Sequence, residues 1–293
     1  VIELAAYLAF RLGVGLVGAL PGRVATALGE AGGRLWYLLA PDRRRTTARH
    51  ARRLGAAPGS EKGLVRRIFS GYGRYWAEAF WIRPRRRREI HASLEVEGIE
   101  WVRAAKAAGR GQIVALPHVG NWEVAGLIAE QEGVLLVAVA ENLRNRRMRD
   151  WFVRLRNQLG IGIVLSGTKG TMKELEEVIR GNGMVALLCD RDLRGRGVPV
   201  CFFGEETTLP AGPVTLALRT GAPVLPVAAY FRPNGGHRIV VHPPLELPEG
   251  HRPEDIREGT QRLAEALEAM IREAPEQWHL LQPNWPSDRV PLP

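Results

Sequence analysis

The apolar positions of this chain change period once, near residue 90. Before that point the spacing is helical. Residues 1–20 are apolar, but Glu3 and Arg11 interrupt them and three glycines thin them out. A bilayer-spanning helix needs about 20 apolar residues with few or no charges. The segment therefore reads as an amphipathic helix, lying on a bilayer or packing as an ordinary half-buried helix. Pro21 starts a second helix, with Leu28, Leu35 and Leu38 at helical spacing. Pro41-Asp42 marks the next break, with Asp42 as an N-cap, and Ser60 caps a helix that buries Leu64, Ile68, Tyr72, Tyr75, Trp76 and Phe80. Its aromatic series suits core packing or contact with an acyl chain.

From residue 93 short apolar runs alternate with amphipathic stretches. Strands are expected at 94–98, 113–116, 134–138, 161–165, 184–188 and 224–230, with 238–241 pairing with the last. Helices are expected at 99–108, from Trp122 onward, and at 145–159, 168–180, 212–220 and 253–274. This alternation predicts an α/β fold, a mixed central sheet flanked by helices on both faces. Residues 1–90 are expected to form a helical, membrane-associating region packed on an α/β core of residues 91–293. No internal repeat or low-complexity linker is present.

Charge adds a second constraint. The 293 residues carry a formal net charge of +10, mostly from arginine. A basic surface attracts anionic lipid headgroups, phosphorylated ligands or nucleic acid. Arg43-Arg44-Arg45, Arg49, Arg52 and Arg53 crowd one short helix, and Arg85 to Arg88 follow Pro84. That run is a solvated surface or a headgroup contact, the latter worth on the order of 1 kcal/mol per cation. No helix-turn-helix, zinc-finger or RNA-binding aromatic signature accompanies it, so nucleic acid is not an expected partner. Cys189 and Cys201 lie in apolar runs without a C-x-x-C pair or zinc spacing, which points to reduced, buried thiols and no metal. No cleavable signal pattern is evident.

The chemistry concentrates in Gly111 to Gly126, GQIVALPHVGNWEVAG. A buried strand ends at Pro117, His118 follows in a turn, and a helix begins near Trp122. Of seven histidines, His118 ends a buried strand beside an Asn and a Glu. His50, His91, His237, His242, His251 and His279 lie in polar, Arg-rich or Pro-rich segments without a matching partner nearby in sequence. Imidazole titrates near working pH, so His118 suits a general base that takes a hydroxyl proton during attack on a carbonyl. A carboxylate should then orient the ring. Glu123, in H-x-x-x-x-E, is one source. Asp190-Arg191-Asp192, after the strand at 184–188, is another, because ligands in open α/β sheets lie along the carboxyl ends of strands. A structural hydrogen-bonding histidine and a surface turn of self-paired charges remain the plainer alternatives. No G-x-S-x-G elbow, P-loop or dinucleotide fingerprint occurs, which favours direct transfer over a covalent enzyme intermediate and disfavours ATP and NAD chemistry. The cluster Glu141, Arg144, Arg146, Arg147, Arg149, Arg154 and Arg156 reads as a phosphate-binding patch or a solvated helix face.

ALPHVGNWEVAG and the later DRDLRGRGVPVCFFGEETTLPAGPVTLALRTGAPVLPV resemble the bacterial late acyltransferases of the lipid A lauroyl/myristoyl type. The order H-x-x-x-x-E, D-x-D, F-F-G and G-P-V-x-L-A is similar throughout. Glu276-Gln277-Trp278-His279-Leu280-Leu281-Gln282-Pro283 is closer to the actinobacterial branch, which acylates phosphatidylinositol mannosides. The resemblance covers roughly residues 10–285. It implies an α/β acyltransferase core with a hydrophobic acyl-chain groove. It implies a long-chain acyl-CoA such as palmitoyl-CoA as co-substrate without a further cofactor, and a mannose hydroxyl as acceptor, with lipid A as the alternative. It places the enzyme peripherally on the cytoplasmic face of the plasma membrane, against an anionic surface. His118 would be the base. The relay carboxylate falls on Asp192 by the mannoside branch, where the family carries glutamate, and on Glu123 by the lipid A branch. Glu141 and Arg156 match polar positions near the family's active site. Asn121 and Arg191, beside the two site turns, join them as expected substrate-binding residues.

Overall fold

The computed structural model describes residues 2–57, 59–192 and 195–289. Expectations that fall on Val1, on Leu193 and Arg194 of the D-x-D turn, or on 290–293 lie outside them. The chain opens with α1 (Ile2–Ala19), α2 (Gly22–Leu39), α3 (Pro41–Arg53) and α4 (Glu61–Trp81). A 3-10 turn at Pro84–Arg86 and α5 (Arg87–Ala92) lead to β1 (Leu94–Glu97) and α6 (Ile99–Ala107). Next come β2 (Gln112–Leu116), α7 (Trp122–Gln131), β3 (Leu136–Ala140), α8 (Arg146–Gln158), β4 (Ile161–Leu165), α9 (Thr171–Arg180) and β5 (Met184–Leu188). A hairpin of β6 (Val198–Phe202) and β7 (Glu205–Leu209) precedes α10 (Gly212–Thr220), β8 (Val224–Phe231), β9 (His237–Val241) and α11 (Pro253–Glu273). Residues 275–289 then cross back over the molecule as a strap.

Among the described residues, seven strands form one sheet in the order β1-β9-β8-β2-β5-β3-β4. Its pairs are parallel except β8 with β9, so the sheet is mixed. β2 lies at its centre, and every residue of it is buried. Alternation along β2 splits the core into two layers. Ile113 and Ala115 face α9, α10 and α11, while Val114 and Leu116 face α6, α7 and α8. The expected α/β fold with helices on both faces is therefore present. The β6–β7 hairpin was not expected: its strands alternate buried and exposed rather than forming a continuous apolar run.

α2 packs closely on α4 because glycines line the contact. A Cβ on Gly33 would come 2.1 Å from Phe69 O, and one on Gly73 2.1 Å from Gly29 O. Two expected caps differ. Pro41 begins α3, which places Asp42 inside the first turn. Ser60 precedes α4, but its hydroxyl donates to Ala57 O and not into the helix.

The arginine run also has an internal use. Arg85 donates to Gly18 O at 3.1 Å, and Arg86 donates to Gly18 O at 3.0 Å and Leu20 O at 3.1 Å. Arg83 adds a bond to Val14 O. The bonds from Arg85 and Arg86 satisfy carbonyls left open where α1 ends, a place where cations are favoured. Arg87 pairs with Glu130. On its other side α1 exposes Leu4, Leu8, Leu12 and Leu16, at 44%, 58%, 65% and 61%. α2 likewise exposes Leu28, Leu35, Leu38 and Leu39. Among the described residues, no helix is long and apolar enough to cross a membrane.

Candidate active site

The site forms where β2 and β5 end side by side. From β2 the chain continues towards β3, and from β5 it continues towards β8, so a crevice opens between the two strand ends. The pair is in register, with Leu116 opposite Leu188. Two residues past each strand therefore meet: His118 and Asp190. Asp190 is fully buried. Its Oδ1 takes a short hydrogen bond from His118 Nδ1, and its Oδ2 accepts from the His118 backbone N at 3.0 Å and from Trp278 Nε1 at 2.8 Å. Burial pushes the Asp190 carboxyl up, but the facing His118 ring and these donors outweigh it and hold the group down at about 2. The ring nitrogen Nδ1 is thus a donor to Asp190, and Nε2 is the ring nitrogen that Asp190 does not engage. His118 lines a cavity.

The turn between β2 and α7 is fixed from several sides. Gly120 has φ +57°, and a Cβ there would lie 2.0 Å from Ala229 O, so only glycine fits. Asn121 caps α7, its Oδ1 accepting from Glu123 N at 3.2 Å. Its Nδ2 donates to Glu78 Oε2 at 2.8 Å. Glu78 is buried on α4 and also receives His237 Nε2 at 2.7 Å and Arg74 Nε at 2.7 Å. Desolvation opposes that charge, yet His237 and Arg74 bring the Glu78 pKa down to about 2.

The expected site residues fall into three groups. His118, Glu123, Glu141, Arg156 and Arg191 all line the cavity. Within it Glu123 makes a two-pronged ion pair with Arg156, one bond at 3.0 Å, and Arg191 lies 3.6 Å from Glu141. Burial alone would lower the Arg156 pKa, but Glu123 raises it, so the cation is locked in place. Glu123 therefore faces Arg156 and not the His118 ring. Asp192 is also directed elsewhere: its Oδ2 accepts from Gly197 N at 2.6 Å and Thr208 Oγ1 at 2.9 Å, bracing the turn after β5 against β7. Asn121 is fully buried and its amide is committed to Glu123 N and Glu78, so it shapes the turn without facing a ligand.

The cavity holds about 540 Å³, within the usual range for a ligand pocket. From His118 and the rings of Tyr75, Trp76 and Trp122 it reaches between α7 and the sheet, past Val114, Leu136 and Met184 to Ile239. Ala125, Gly126 and Ala129 on α7 and Ala138 and Ala186 on the strands leave this space open, because larger side chains would fill it. Tyr75 stacks on Trp122 at 4.1 Å, and His118 meets Trp122 edge-on at 5.0 Å. Burial, with Glu123 nearby, raises the Tyr75 phenol pKa, so the hydroxyl stays neutral.

Sequence proximity missed several residues here. His279 Nε2 donates to Gly120 O at 3.0 Å, and burial holds its pKa at about 3, so the ring is neutral with Nδ1 an acceptor. Among the described residues, His279 Nδ1 and Gln282 Oε1 are buried without a hydrogen-bond partner, and both residues line the cavity. His50 and His237, which lack partners nearby in sequence, have Asp288 and Glu78 in space. The signal for Asp190 was present in D-x-D, but choosing between its two aspartates required the strand register.

The sequence matches the bacterial lipid A biosynthesis acyltransferase family over residues 4–287. A phosphatidylinositol mannoside acyltransferase of Mycobacterium tuberculosis is 36% identical over 81% of this chain and 75% of its own length. One from Mycolicibacterium smegmatis is 37% identical over 77% and 73%. A lipid A biosynthesis acyltransferase of Haemophilus influenzae is 27% identical over 66% and 59%. The match spans the helical opening, the His118 turn and most of the strap, so the chain belongs to the bacterial lipid A biosynthesis acyltransferase family.

Proposed function

We propose that this protein transfers a long-chain fatty acyl group, palmitoyl among them, from acyl-CoA to a mannose hydroxyl of a phosphatidylinositol mannoside. The observation that carries the chemistry is a histidine with a buried carboxylate on Nδ1, set at an apolar cavity. His118 Nε2 removes the proton of the acceptor hydroxyl as its oxygen attacks the thioester carbonyl. Asp190 keeps the ring in the required tautomer and stabilises the imidazolium. When the tetrahedral intermediate collapses, the C–S bond breaks, the ester forms, and the imidazolium returns its proton to the departing thiolate. The reaction uses acyl-CoA as co-substrate and needs no metal or resident cofactor.

The acyl chain would occupy the apolar interior between α7 and the sheet. At its polar end, the unpartnered acceptors on His279 and Gln282 suit the hydroxyls of a sugar. Arg156, Arg191 and Glu141 would border the bound donor or acceptor. The mycobacterial relatives, at 36% and 37% identity against 27% for the lipid A enzyme, favour the mannoside over lipid A.

The exposed leucines of α1 and α2 form an apolar surface of the kind that lies in a membrane interface, and the net charge of +10 suits an anionic leaflet. We place the protein peripherally on the cytoplasmic face of the plasma membrane. His118→Ala tests the chemistry. The variant should keep its thermal midpoint and lose release of CoA thiol from palmitoyl-CoA in the presence of the mannoside. Turnover near that of the unaltered protein would overturn the reading.

A further inference from the structure

Trp278 lies in the strap, is 1% exposed, and is among the largest fully buried side chains. A buried indole N–H needs an acceptor. Here the acceptor is the carboxylate of Asp190, at Oδ2 and 2.8 Å. The same oxygen accepts from the His118 backbone N at 3.0 Å. With Oδ2 so engaged, Oδ1 remains for the His118 ring. The strap is held firmly enough to impose this geometry. Val119 and Trp278 form an antiparallel bridge, Gly120 N donates to Gln277 O at 2.9 Å, and His279 N donates to His118 O at 2.8 Å. Asn284 Nδ2 also donates to Asp190 O at 3.2 Å. The far end is tied to α3, where His50 Nδ1 donates to Leu280 O at 2.9 Å and Arg53 pairs with Asp288 at 2.8 Å.

We infer that Trp278 is a positioning residue for acyl transfer: its indole N–H holds Asp190 in the rotamer that orients His118 and draws off part of the carboxylate's charge. The inference rests on the reading of His118 as base. A carboxylate that spreads its charge over three donors is a weaker proton acceptor, so the proton taken from the substrate stays on the imidazole. Loss of one donor concentrates charge on Asp190, and the imidazolium is then held more firmly. The neutral base forms at higher pH as a result.

The competing account makes Trp278 a core filler, since its ring packs near Phe203 at 5.5 Å and Trp285 at 6.3 Å. Trp285 supplies the control. It is equally buried in the same strap, but its Nε1 donates to Phe202 O at 3.1 Å, away from Asp190. The charged or titratable groups that share the cavity with the His118 ring or face it are Asp190, the Arg191–Glu141 pair, Glu123 on α7, Arg149 and Arg156 on α8, Tyr72 and Tyr75 on α4 and His279 on the strap. Neither Trp→Phe substitution replaces any of them, and Trp278→Phe removes one donor from Asp190.

The test measures kcat/KM against pH for the full chain and for Trp278→Phe, Trp285→Phe and His118→Ala, by CoA thiol release from palmitoyl-CoA with a phosphatidylinositol mannoside. Trp278→Phe should lower kcat on the order of tenfold, because a hydrogen bond to a charged group is lost. Its acid limb should move to higher pH by roughly half a unit or more. Trp285→Phe should lower the thermal midpoint and leave the limb in place. If Trp278→Phe does not fold, benzothienylalanine at position 278, which replaces the N–H by sulfur at constant shape, should give the same shift. An unmoved limb, or an equal shift in Trp285→Phe, overturns the inference. Activity in His118→Ala would instead overturn the reading beneath it.

Discussion

Among single residues, the proposed chemistry depends on which carboxylate serves His118. Asp190 meets the ring, whereas Asp192 ties Gly197 and Thr208. Asp190→Asn would present an amide that favours the wrong tautomer, so kcat should fall by about 10³–10⁴-fold with the fold intact. Asp192→Ala should lower the thermal midpoint more than it lowers kcat. Thiol-release rates and melting curves measured side by side check this, and the reverse order of effects would contradict it. His118 itself was legible in the sequence because a continuous apolar run ended in Pro-His. Its partner was not, because Glu123, Asp190 and Asp192 are all plausible in one dimension. The in-register pairing of Leu116 with Leu188 selects Asp190, and register is a property of two strands together.

At the scale of elements, strands buried on both faces announce themselves as apolar runs, and β2, β4 and β5 lie close to where those runs predict them. The β6–β7 hairpin and the strap carry weaker patterns. The strap is irregular, and its contacts reach residues far away in sequence, such as Gly120 and His50. Its docking also creates a pH dependence. Burial lowers the His279 pKa from 6.5 to about 3. The unfolded chain binds that proton from about pH 6.5 downward, while the folded one resists it to about pH 3. The folded state therefore loses stability as pH falls through that window. Urea midpoints at pH 7 and pH 4.5 should drop for the natural chain and drop less for His279→Gln, whose amide can still donate to Gly120 O. Equal drops would contradict the assignment.

For the whole molecule, much of the basic charge has an internal task, as Arg83, Arg85 and Arg86 at the end of α1 illustrate. The composition could not reveal this, because a charge count does not say which guanidiniums meet carbonyls. The exposed leucines of α1 and α2 are then the sharper membrane signal. Leu8→Asp with Leu12→Asp should weaken sedimentation with anionic vesicles, and salt should weaken binding of the natural chain. Turnover of detergent-dispersed substrates should change little; unaltered vesicle binding by the double variant would move the docking surface elsewhere. Mass spectrometry of the lipid after incubation with palmitoyl-CoA decides whether the acyl group reaches a glycolipid. A phosphatidylinositol mannoside carrying one additional palmitoyl ester is expected with the natural chain, and unmodified lipid with His118→Ala. Release of CoA with the mannoside left unmodified would contradict it.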